Sequence, residues 1–76
     1  MSARSAYKNT VVITLSPRQY QVIALIAQGY VQKEVAQKLH ISHSTVGSIL
    51  QSLYDKIDAK NTADAIYILT KNGTLK

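Results

Sequence analysis

Two helical stretches meet at a three-residue corner, His40-Ile41-Ser42, and that corner constrains the fold more than any other feature of the chain. Ahead of it, a first helix is punctuated at both ends. Ser16 is an N-cap, Pro17 suits the first helical position, and Gln19 completes a capping box with Ser16. Val22, Ile23, Ile26 and Ala27 recur at helical spacing and define its buried face. Gly29 stands where a left-handed C-cap is needed, directly after Gln28. Helix, glycine turn, short helix, tight corner, longer helix is the order in which a helix-turn-helix unit is written.

The second helix is expected over about 32–39. Val35, Ala36 and Leu39 form its apolar side, and Ala36 is small where two helices must cross closely. Its start is weakly capped, because Val31 has no acceptor for a backbone N–H, while Glu34 in the first turn suits the helix dipole. Ser42 caps the third helix. Val46, Ile49, Leu50, Leu53 and Ile57 follow i, i+3, i+4, i+7 spacing and are expected in the core. The opposite face carries His43, Ser44, Gly47, Ser48, Gln51 and Ser52, with no acidic residue until Asp55. A fourth helix is expected after Asp58-Ala59-Lys60, with Asn61 as N-cap, Asp64 at its third position and Gly73 at its end. There Ala65, Ile66 and Leu69 are expected to close the core, with Tyr67 and Ile68 turned toward another side. A terminal helix with apolar residues on two sides often has a partner.

Ahead of all this, 1–14 reads as an arm. Residues 1–9 are small, polar and basic, and are read as a loose end rather than as an arm that tracks DNA. Thr10 to Thr14 is a β-branched run with no second strand to pair with, so it is expected as an extended segment packed on the helices or on a partner. The chain therefore reads as an arm over 1–14 and one all-α, four-helix domain over 15–76.

Composition narrows the function classes. A chain of 76 residues is one domain, near the lower limit for folding without staples. It has no cysteine, which removes disulfides, thiolate metal sites and a thiol nucleophile. Nine Lys and Arg stand against four Asp and Glu, a net charge of +5 that suggests a polyanionic partner such as nucleic acid. No apolar run approaches the ~20 residues of a membrane span. The amino-terminal stretch lacks the apolar core of a signal peptide, so the cytoplasm is the expected location. No Ser/His/Asp set, paired carboxylates or glycine-rich phosphate loop supports catalysis, and the serines are explained as caps and exposed helix positions. His40 and His43 lie three apart across a helix break without a carboxylate or thiol, so neither metal nor cofactor is expected. The five tyrosines, Tyr7, Tyr20, Tyr30, Tyr54 and Tyr67, lack the spacing of a stacking platform and are expected half-buried.

The ordered set Leu15-Ser16-Pro17-Arg18, Val22-Ile23, Gly29, Lys33-Glu34-Val35-Ala36, Leu39, Ile41-Ser42, Thr45-Val46, Lys56-Ile57 and Ala65-Ile66 resembles the LuxR/GerE-type DNA-binding domain. The resemblance spans about four fifths of the chain. It implies a four-helix helix-turn-helix bundle that binds duplex DNA as a homodimer and regulates transcription, with helix three (about 43–57) in the major groove. Most such proteins carry a receiver or ligand-binding domain ahead of this unit; these 76 residues have no room for one, so the chain is expected to be the standalone kind. Carried over by position, Gly47, Ser48 and Gln51 would face base edges; a glutamine can bond adenine bidentately. Ser44, Thr45, Lys56 and Lys60 would be the nearest phosphate contacts. Lys33 lies on the helix that commonly crosses the backbone, and His43 opens helix three. Helix four would join its counterpart, which assigns Asp64, Tyr67, Ile68 and Lys71 to a dimer interface. Four positions depart from the pattern. Gln19 stands for glutamate, Val31 for serine, Gly47 for lysine and Ile49 for histidine. Gly47 removes a charged contact and weakens a helix interior by about 1 kcal/mol relative to alanine, or it permits closer approach.

Two rival readings follow from the same residues. One keeps the fold but loses the DNA contacts, making an interaction module that pairs with another transcription regulator and disables it. The other is a sigma-factor-like module that engages RNA polymerase, against which the Ala65-Ile66 helix argues.

Overall fold

A computed structural model of the chain describes residues 13–75. The expected loose end at 1–9, Tyr7, and all but Ile13 and Thr14 of the β-branched run lie outside the described residues. Four helices follow in order: α1 (Pro17–Ala27), α2 (Gln32–Leu39), α3 (His43–Ile57) and α4 (Thr62–Lys71). Among the described residues there is no strand, and the all-α, four-helix expectation holds. The chain divides into two compact units, a motif unit over 15–53 and a terminal unit built from 54–75 with the segment ending at Thr14.

In the motif unit, α1 begins as its punctuation dictates. The Gln19 N–H donates to Ser16 Oγ at 3.1 Å, and Ser16 N–H donates to Gln19 Oε1 at 3.0 Å, closing the capping box. Val22 and Ile23 are buried, but Ala27 is exposed, contrary to expectation. The inward stripe is Gln19, Val22, Ile23 and Ile26, an i, i+3, i+4, i+7 set that begins one turn earlier than the expected residues and leaves Ala27 out. Gln19, only 8% exposed, can join it because its amide is satisfied: Oε1 accepts from Ser16, and Nε2 donates to Ser52 Oγ at 3.3 Å. The chain leaves α1 through Gly29 at φ 106°, with Tyr30 N–H donating back to Leu25 O at 3.2 Å. That bond, with Gly29 N–H to Ile26 O at 3.0 Å, is a Schellman turn.

α2 packs against α1 and buries Val35 and Ala36, with Leu39 half-buried. Val31 offers no acceptor at its start; only the return bond exists, Val31 N–H to Glu34 Oε1 at 3.0 Å. α2 ends in another Schellman turn, Ile41 N–H to Ala36 O at 3.1 Å, with His40 in the left-handed region at φ 57°. α3 contributes residues 43–53 to the motif unit and 54–57 to the terminal unit.

In the terminal unit, the end of α3 turns through Asp58 at φ 58°, with Ala59 N–H bonded to Tyr54 O at 2.9 Å. Asn61 Oδ1 accepts from Asp64 N–H, and Asp64 Oδ2 accepts from Lys60 N–H, both at 2.9 Å. The hydroxyls of Tyr54 and Thr62 are bonded to one another. Ala65, Ile68 and Leu69 are buried, as are Ile13, Ile57 and Leu75. Two expectations for α4 are corrected here. Ile68, assigned to an outward face, is 0% exposed, and Ile66, assigned to the core, is half-buried. Ala65, Ile68 and Leu69 form an i, i+3, i+4 set, and the helix turns that set inward.

Candidate nucleic-acid interface

The outward surface of the motif unit is assembled at the corner between α2 and α3. Ser42 sits before the first turn of α3, and its Oγ accepts from Thr45 N–H at 3.0 Å. The same oxygen lies 2.7 Å from Thr45 Oγ1 and 3.1 Å from Ser44 Oγ. One cap residue thus satisfies a helix-end amide and gathers three hydroxyls at the positive end of the helix dipole.

Within the motif unit, Val46, Leu50 and Leu53 hold α3 by its buried side. Its expected contact residues remain on the surface: His43, Ser44, Thr45, Ser48 and Gln51 are exposed and Gly47 is half-buried. Gly47 lies beside the start of α2; a Cβ built on it would meet only Gln32 Oε1, at 3.9 Å. From Lys38 to Lys56 no Lys or Arg intervenes, and from Glu34 to Asp55 no Asp or Glu. This face therefore presents hydroxyls, an amide and an imidazole without a fixed side-chain charge.

Ile49 was expected in the core and is instead half-buried. It sits at the flank of the stripe, where it lines an open groove of about 380 Å³ with Ser16, Gln19, Ser44, Thr45, Ser48 and Ser52. Neither this groove nor the Gln19–Ser52 bond was anticipated. The signal available was the joint departure at Gln19 and Ile49, two neutral residues that line one groove.

The cations are placed unevenly. Lys33 is exposed in the first turn of α2. The Lys38 ammonium lies 4.5 Å from the centre of the Tyr30 ring, a cation–π contact. In the terminal unit, Lys56 Nζ donates to Thr14 O at 2.8 Å, whereas Lys60 is exposed. Of the residues expected at a dimer interface, Tyr67 and Lys71 are exposed, Asp64 is half-buried and used as a helix cap, and Ile68 has no surface left to offer. Among the described residues, no three His, Asp or Glu side chains are grouped to hold a metal ion. Among the same residues, no helix is long and apolar enough to cross a membrane.

The pattern of bacterial regulatory proteins of the luxR family, GerE, matches residues 13–69. The chain is 38% identical over 56 residues to YhjB of Escherichia coli (strain K12), covering 74% of this chain and 28% of that protein. It is 34% identical over 62 residues to the transcriptional regulatory protein DesR of Bacillus subtilis (strain 168), covering 82% and 31%. It is 36% identical over 59 residues to the response regulator RamR of Streptomyces coelicolor, covering 78% and 29%. The chain thus spans less than a third of the length of these relatives. No solved structure matches it. With the family pattern matched over residues 13–69 and the corner at His40-Ile41-Ser42 in place, this chain belongs to the luxR family of bacterial regulatory proteins.

Proposed function

We propose that this chain is a cytoplasmic, sequence-specific regulator of transcription that binds duplex DNA as a homodimer, with α3 in the major groove and no cofactor. The observation that carries the reading is the exposed, acid-free face of α3 from His43 to Gln51, set at the corner of a helix-turn-helix. Such a face enters a groove lined by phosphates without charge repulsion. Ser48, Gln51 and Gly47 would meet base edges, where a glutamine favours adenine and a serine hydroxyl serves several bases. His43, Ser44, Thr45 and Lys33 would fix register on the backbone, and Lys60 and Lys56 would add phosphate contacts from the terminal unit. Dimerisation would use Tyr67 and Lys71 of α4.

Selection of bound duplexes from a random pool at moderate salt tests this. An inverted repeat with half-sites about one helical turn apart is the expected product. Failure of the folded protein to enrich any sequence overturns the reading.

A second reading draws support from Gly47, where the family pattern has lysine. Without a cation on that face, the chain would act by pairing with another regulator rather than by holding DNA. Salt dependence separates the two, since DNA binding weakens steeply between 50 and 200 mM salt, by roughly 10³ or more for six phosphate contacts.

A further inference from the structure

The chain has three glycines, and two of them answer to the backbone: Gly29 and Gly73 both have positive φ. The third, Gly47, is inside α3 with ordinary helical dihedrals. A Cβ at this position would make one ordinary contact, with Gln32 Oε1 at 3.9 Å. Alanine would fit without displacing anything, and alanine is the better helix former. Among the described residues the space over Gly47 is open, so the position is free to meet a group brought to the helix.

The geometry points to Gly47 as the seat of a thymine C5-methyl group, a specificity-determining position that rests on the reading of α3 as the groove-entering helix. The floor of the hollow is helix backbone, whose N–H groups are consumed by the helix itself. The exposed Ser44 and Gln51 lie one turn away on the same helix and Ser48 is next in the chain, while the side-chain oxygen Gln32 Oε1 is the one atom near the position of a Cβ. From His43 to Tyr54 α3 carries no cation, and its backbone N–H groups are consumed by the helix, so the floor of the hollow itself offers a phosphate no donor. A small apolar group fits, and the one such group on the DNA major-groove floor is the methyl of thymine. A side chain at this position would hold that methyl off by the thickness of its own Cβ.

The test uses the whole chain and a selected duplex. Each thymine is replaced in turn by uracil, which removes the methyl and leaves pairing intact. One position per half-site is expected to weaken wild-type binding by about fourfold, the worth of one buried methyl. Gly47→Ala is expected to melt roughly 4 °C higher, to bind the thymine duplex more weakly, and to lose the thymine–uracil difference at that position. The inference is overturned if no thymine methyl matters, if Gly47→Ala keeps the same difference or binds as well as wild type, or if the variant melts lower. If wild-type protein selects no sequence at all, the DNA reading itself has failed, an outcome distinct from a selected site that ignores its methyls.

Discussion

On α3, the buried side is Val46, Leu50, Leu53 and Ile57, and the exposed side is His43, Ser44, Ser48 and Gln51. The first set is large, branched and closed to solvent; the second is short, polar and uncharged. The buried side decides whether the chain folds, and its residue types follow from packing. The exposed side is not packed in this way, so its composition reports more on what the helix meets. A mutation series should therefore separate into losses of stability and losses of recognition, with the cap between them.

The largest effect belongs to the buried side. Leu53→Ala should cost about 2–5 kcal/mol, a large share of the stability of a 76-residue domain. Thermal melting by circular dichroism reads it, and a loss under ~1 kcal/mol would break the division proposed here. Ser42→Ala removes the acceptor for Thr45 N–H and loosens the hydroxyl cluster. It should cost about 1 kcal/mol and also weaken binding, because the start of the reading helix frays. Denaturant titration and DNA affinity measured together check that coupling. His40→Gly should add about 1 kcal/mol, since histidine occupies a left-handed turn that glycine enters without strain. A fall in stability would mean that the imidazole makes a contact worth more than the strain. Gln51→Ala should leave stability within about 0.5 kcal/mol while relaxing base preference at one position. An unchanged selected motif would remove Gln51 from the reading set.

Much of this architecture was legible from punctuation. Ser16 with Gln19 at α1, Ser42 at α3, and Asn61 with Asp64 at α4 mark helix starts by side-chain hydrogen bonds to backbone N–H groups, and Pro17 marks one by its fixed φ. Helix ends were half legible. All four helices leave through a residue of positive φ, yet only Gly29 and Gly73 announce it; His40 and Asp58 make the same turn without a glycine to mark it. The inward side of α4 was misread because Ala65, Ile66, Ile68 and Leu69 spread apolar surface over two stripes of a ten-residue helix. Spacing alone does not choose between the 65/66/69 and 65/68/69 sets, and packing does. On the candidate interface, residue types on α3 were readable from the 3.6 period, whereas partners distant in sequence were not. The Gln19 amide reaching Ser52, and the Lys56 ammonium held by Thr14 O, bridge 33 and 42 positions that no local rule connects.

The weak start of α2 has a consequence in time. This helix has eight residues, about two turns, and Val31 at its head is 61% exposed and provides no acceptor. Short helices owe their persistence to tertiary contacts rather than to their own propensity. Val35 and Ala36 supply the buried anchors of α2, so its backbone should open before that of α1 or α3. In amide hydrogen exchange, the first turn of α2 would exchange at a lower free energy than the middle of α3. The helix proposed to read bases would thus stay formed while its neighbour in the motif opens and closes beside it.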